Sequence, residues 1–125
     1  MSVSSGDIGN LYTFGASIHP QNYVADRNGD SLDCQDLSEE ITVIVQHGVL
    51  EGDTSIIVEL EESSDDTTFT DISGAATATT TTDSGITYAT FSGRAQRYVR
   101  AVANFSGSSI DAFLAVSIGA KKKSF

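Results

Sequence analysis

Two stretches of this chain place apolar residues at every second position, and that period restricts the folds open to it. In ITVIVQH, residues 41–47, Ile41, Val43 and Val45 fall on one side and Thr42, Ile44 and Gln46 on the other. In SIIVELE, residues 55–61, Ile56, Val58 and Leu60 oppose Ile57, Glu59 and Glu61. A period of two belongs to a pleated strand with one buried face. No stretch repeats the i, i+3, i+4 spacing of a long amphipathic helix, which excludes folds built from strand–helix–strand crossovers. Thr, Ser, Val and Ile crowd the sequence and glycine is common, whereas Pro20 is the single proline. That mixture favours strands joined by tight turns.

Further strands follow from the same reading. LYTFGASI starts a first strand near Leu11, which Pro20 should interrupt because proline lacks the ladder donor. Asn28-Gly29 suits the two central positions of a tight hairpin, setting Tyr23 to Ala25 against Leu32 to Cys34. The polar run at residues 63–66 ends the strand before it, since short polar side chains bond locally to backbone. A short strand near residues 68–72 precedes the threonine-rich stretch 76–84, read as a partly ordered edge. ITYATFSG is a strand with Ile86 and Tyr88 on one side and Phe91 on the other. RYVRAVANF (97–105) and IDAFLAVSIGA (110–120) flank a Gly107-centred turn and read as a hairpin of two central strands, apolar on both faces. The expectation is an all-β, single-domain antiparallel β-sandwich of about eight strands, in jelly-roll or immunoglobulin-like Greek-key order. Residues 1–10 form a polar arm, 11–120 the sandwich and 121–125 a basic tail.

Charge narrows the partners. Seventeen acidic residues against seven basic ones give a formal charge of −10, which repels nucleic acid phosphates. No apolar run approaches the ~20 residues of a membrane-spanning helix. Cys34 is the single cysteine and has no partner for an intrachain disulfide, and MSVSSGDIGN has no signal-peptide pattern, so synthesis and folding in a reducing cytoplasm are expected.

Candidate chemistry is sparse. DRNGD places Asp26, Asn28 and Asp30 at alternate positions, as a calcium loop does, but position six is Ser31 and position twelve is Leu37, so the turn glycine and the bidentate ligand are missing. A plain turn is the stronger reading. His19 and His47 lack a second ligand at zinc spacing, and His47 is expected at a strand rim. Cys34 reads as a packing residue rather than a nucleophile. Glu61-Glu62 and Asp65-Asp66 read as a solvated acidic rim, because adjacent strand residues point to opposite faces. No cofactor and no enzymatic activity are expected. Arg94, Arg97 and Arg100 stand out in an acidic chain, with Arg97 and Arg100 on opposite sides; they either pair with Glu59, Glu61 or Glu62 on a neighbouring strand or contact a partner protein. Lys121, Lys122 and Lys123 read as a solvated tail or a second contact.

The run VELEESSDDTTFTDISGA, followed by GRAQRYVRAVANFSG and FLAVSIGAKK, resembles small structural proteins encoded beside the major capsid gene of tailed bacteriophages. The similarity runs from about Asp33 through Lys123 and is carried by Glu62, Ser63, Asp65, Phe69, Arg97, Tyr98, Val99 and Arg100. It implies a capsid decoration, or cement, protein: a β-sandwich bound to the major capsid protein on the outer shell, as a trimer or dimer, with no catalytic residues. Made in the host cytoplasm, it would end up on the virion surface. A tail or neck ring protein is the alternative within the same virion. A calcium-assisted carbohydrate-binding module, with Tyr23 stacking on a sugar, is the alternative of another class.

Overall fold

The computed structural model describes residues 12–50, 53–79 and 84–123. Among them are eight strands: β1 (Tyr12–Tyr23), β2 (Arg27–Asp33), β3 (Ile41–His47), β4 (Ser55–Ser63), β5 (Thr70–Thr79), β6 (Gly85–Phe91), β7 (Tyr98–Ser106) and β8 (Ala112–Lys121). They build two four-stranded antiparallel sheets in the orders β1-β8-β3-β6 and β2-β7-β4-β5. First pairs with last throughout: β1 with β8, β2 with β7, β3 with β6 and β4 with β5. The chain is thus one long ribbon doubled back on itself, then rolled until β3 also meets β8 and β4 meets β7. That is the jelly-roll order, one of the two the sequence left open.

The alternating residues do what their period requires. Ile41, Val43 and Val45 from β3 and Leu114, Val116 and Ile118 from β8 face Ile56, Val58 and Leu60 from β4, together with Val99, Ala101 and Ala103 from β7, and all are buried. Each large aliphatic side chain withdrawn from water contributes about 1.5–3 kcal/mol before chain entropy is set against it. Cys34 is fully buried in this core. Burial pushes its thiol up to about 11, so it packs as a small apolar group.

Several expectations are corrected. β1 runs through Pro20 instead of stopping there, with register shifts between Ala16 and Ile18 and between Ile18 and Gln21. Those irregularities on an edge strand are where a missing donor is tolerated. Asn28-Gly29 is not a hairpin turn: it lies inside β2, which pairs with β7 and bulges between Asn28 and Ser31. Nor do β7 and β8 form a hairpin, because they belong to opposite sheets. Gly107, at φ 145°, and the Asp53 carboxylate, which accepts the Ser108 N–H at 3.1 Å, carry the chain from one sheet to the other. The central position of both strands was legible, since apolar residues on both faces mark a strand with neighbours on either side.

His47 is buried rather than at a rim. The three lysines are no free tail: Lys121 ends β8, Lys122 bridges Leu37, and the Lys123 N–H donates to the Asp36 carbonyl. The threonine-rich stretch does form an edge as far as Thr79, where β5 closes the second sheet. The polar arm 1–10, the stretch 80–83 and residues 124–125 lie outside the described residues.

Candidate protein-interaction site

The three arginines singled out by sequence are all engaged within the chain. Arg100, on β7, donates from Nε and Nη2 to Glu61 Oε1 at 2.9 and 2.7 Å, and its guanidinium lies 4.0 Å from the centre of the Phe69 ring. Glu61 sits opposite Arg100 in the β4–β7 register, as the cross-strand alternative required. Arg97 chooses a partner the sequence reading missed. It precedes β7, so strand parity does not govern it, and it grips Asp33 through two parallel bonds of 2.9 and 2.8 Å while lying over Tyr98. Arg94 ties backbone instead, donating to the carbonyls of Gln96, Leu37 and Ser38.

Of the carboxylates expected on a wet rim, Asp65 and Asp66 are exposed, whereas Glu62 turns inward. Glu62 is only 8% exposed, and its Oε1 accepts the N–H groups of Ala95 and Gln96 at 2.7 and 3.0 Å. Asp65 closes the β4–β5 turn: its Oδ1 accepts the N–H groups of Thr67 and Thr68 and the Ser63 hydroxyl. Glu62 and Ser63 stand opposite Val99 and Tyr98 in the register. The E-S-x-D run and the R-Y-V-R run, read as two separate motifs, are therefore one joint across β4 and β7, with Phe69 and Arg100 stacked beside it.

Lys122 and Lys123 border a cleft of about 450 Å³ that Asp33 and Asp36 also line. Both signs are present there, and Arg97 already neutralises Asp33. Asp26, Asn28 and Asp30 do not make a loop. The Asp26 carboxylate accepts the Phe105 N–H at 2.7 Å, and the Asp30 carboxylate meets His19 Nε2 at 2.8 Å. Among the described residues no group of three or more His, Cys, Asp and Glu gathers to hold a metal.

These bonds set the acid response. The Arg97 side chain, with the Gln35 N–H, lowers Asp33 from 3.8 to about 2. Asp65 is lowered by the Thr68 and Thr67 N–H groups and the Ser63 hydroxyl, and Asp53 by the Ser108 N–H. A folded pKa below the unfolded one stabilises above the unfolded value and loses that contribution as pH falls through the folded one. Melting temperature should therefore hold above about pH 4 and fall progressively toward about pH 2. Thermal melts of D33N should show a shallower fall; an identical acid profile would remove Asp33 from the account.

No protein-family model matches the chain, and no curated protein sequence does. Solved structures share its fold. A chain in the structure of infectious bursal disease virus, Gx strain, superposes with TM-score 0.57 at 9% identity over 89% of this chain. Eiger TNF from S. frugiperda gives TM-score 0.57 at 9% identity, covering 91% of this chain and 94% of its own. The SPBc2 prophage-derived protein YomS gives 0.53 at 12% identity, covering 87% and 93%. The chain spans about a third of the bursal disease virus chain, which it matches over 32% of that length. At these identities the likeness is one of fold, a two-sheet β-sandwich.

Proposed function

We propose that this chain is a structural protein of a tailed-bacteriophage virion that binds the major capsid protein on the outer surface of the head and stabilises the shell as a decoration protein. One observation carries the reading: most of the residues behind the phage resemblance adjoin in the fold, Glu62 and Ser63 of β4 lying opposite Val99 and Tyr98 of β7 and Arg100 lying over Phe69, while Arg97 pairs with Asp33 outside this joint. A resemblance spread by chance along the sequence has no reason to converge in space. Similar folds in a virus chain and a prophage-derived protein support the reading. The TNF similarity makes fold alone a weak guide. Binding rather than catalysis is the proposed role, since the carboxylates nearest to a hydrolase pair are spent on holding backbone and arginine. A module repeated over a lattice holds on through many weak contacts.

Particles imaged with and without the gene test this. Density missing from the shell, with hundreds of copies per particle by gel densitometry, is the expected result. Density missing from the tail or neck, at a few copies, would replace the head assignment with a ring role.

A further inference from the structure

The edge of a sheet presents a row of unpaired backbone N–H and C=O groups, and proteins blunt such edges with proline, bulges or charge. Among the described residues, three of the four edges are blunted. β1 contains Pro20 and two register shifts. β2 is bulged between Asn28 and Ser31 and carries Arg27, Asp30 and Asp33. The pairing of β5 with β4 slips between Glu59 and Glu61, and β5 carries Asp71. The fourth edge, β6, has no such device. Its sequence GITYATF holds no proline and no charge, and it matches β3 residue for residue from Gly85 to Phe91 without a shift.

The core is also unfinished beneath this strand. Phe91, Ala89 and Thr87 stand directly opposite the buried Ile41, Val43 and Val45, and opposite residues of an antiparallel pair share a face, so all three point inward. Yet Phe91 and Ala89 are only half-buried and Thr87 is exposed. On β1, the other edge of the same sheet, Ser17 and Ile18 are closed off from water. On the outward side of β6, Ile86 and Tyr88 are 65% and 75% exposed. A straight, uncharged run of seven residues, rich in β-branched and aromatic side chains and lacking proline, is the kind that pairs readily with an added strand.

We infer that the outer edge of β6 docks an extended segment of another protein, which joins β1-β8-β3-β6 as a further strand. Backbone selects the form of the occupant, because only an extended chain meets a ladder of N–H and C=O groups at ~4.8 Å. Side chains select its composition. Residues set beside Thr87 and Ala89 complete the cover over Val43 and Val45 and are apolar, and those set beside Ile86 and Tyr88 are β-branched or aromatic. A charge among the inward residues would be buried unpaired and is excluded. The formal charge of −10 makes a second copy repel the first, so the segment belongs to a neutral or basic partner. The docking does not depend on a place in a virion.

The probe is an end-blocked peptide of alternating valine and threonine with a lysine at each end. Titrated into the full chain and followed by amide hydrogen exchange, it should slow exchange along β6 and leave the edges β1, β2 and β5 unchanged. Thr87→Lys puts an inward charge on the edge, a device that natural edges use. It should weaken peptide binding by roughly 10-fold or more, with an unchanged melting temperature because Thr87 is exposed. Gln21→Lys, exposed on the β1 edge, should bind the peptide as wild type does. No slowing in β6, equal slowing on another edge, or full binding by a well-folded Thr87→Lys would each overturn the inference. Sedimentation equilibrium in which wild type dimerises and Thr87→Lys does not would give the edge to a second copy and overturn it as well.

Discussion

Replacing Gly29 by alanine should lower the melting temperature by roughly 10 °C or more, from a loss of about 3 kcal/mol or more. Gly29 lies in the bulge of β2, where the ladder to β7 is interrupted between Asn28 and Ser31. A hydroxyl from the other sheet repairs the gap: Ser17 Oγ donates to the Asp30 carbonyl at 2.8 Å and accepts the Ala101 N–H at 2.8 Å. A Cβ on residue 29 would fall 2.3 Å from that Oγ, 2.7 Å from the Ser17 carbonyl and 2.8 Å from the Ala101 carbonyl. Two of the three obstacles are backbone, so rotating a side chain does not relieve the clash. Overpacking alone costs about 1–3 kcal/mol. Pushing the hydroxyl aside also leaves a buried donor and a buried acceptor unmet, at about 1–3 kcal/mol each. Circular dichroism melts of G29A and S17A would measure this, with S17A the milder because nothing clashes. A G29A protein melting within about 2 °C of wild type would show that β1 can move away freely, contrary to the tight crossing described above.

The second large effect is expected at Glu62. In E62A the N–H groups of Ala95 and Gln96 lose the carboxylate that accepts both, in a place that is nearly closed to water. Hydrogen bonds to a charged acceptor are worth about 1.5–3 kcal/mol each, less whatever water recovers after truncation, so a loss of about 2–4 kcal/mol follows. E62Q keeps an acceptor oxygen and should lose only about 1 kcal/mol. Hydrogen exchange separates this from general weakening: the amides of Ala95 and Gln96 should exchange faster in E62A than the ladder amides of β7 do. Uniform acceleration across the domain, or equal losses in E62A and E62Q, would contradict the role assigned to the carboxylate.

The two sheets were readable from β3 and β4, whose inward positions follow the strand period without a break. Ile41, Val43 and Val45, and Ile56, Val58 and Leu60, need no tertiary information to be placed. What failed was local turn chemistry. Asn28-Gly29 carries the dipeptide of a tight hairpin, but its glycine serves the close approach of Ser17 and Ala101, a demand that arises only once two sheets are stacked. Gly107 misled in the same way, since a turn residue announces a change of direction without saying which sheet receives the next strand. Asp65 and Asp66 are exposed as their polar run implied, but Glu61-Glu62 looked solvated as a pair although alternation turns one of the two inward. Glu62 falls inward at the end of β4, and the backbone it serves lies 33 and 34 residues away. The lateral order β1-β8-β3-β6 was hidden for a different reason: its four strands are scattered from residue 12 to residue 121, and no local pattern says which of them lie side by side.

First-with-last pairing also has a kinetic consequence. Among the paired strands of the described residues, β4 and β5 alone meet across a short loop, whereas joining Tyr12 to Lys121 must close nearly the whole chain, and the entropy of closure grows with the length enclosed. Assembly should therefore zip from the middle toward both ends, and the jelly roll should fold slowly for a domain of its size. Substitutions in β1 and β8 should mainly speed unfolding, whereas those around the Asp65 turn should slow folding itself.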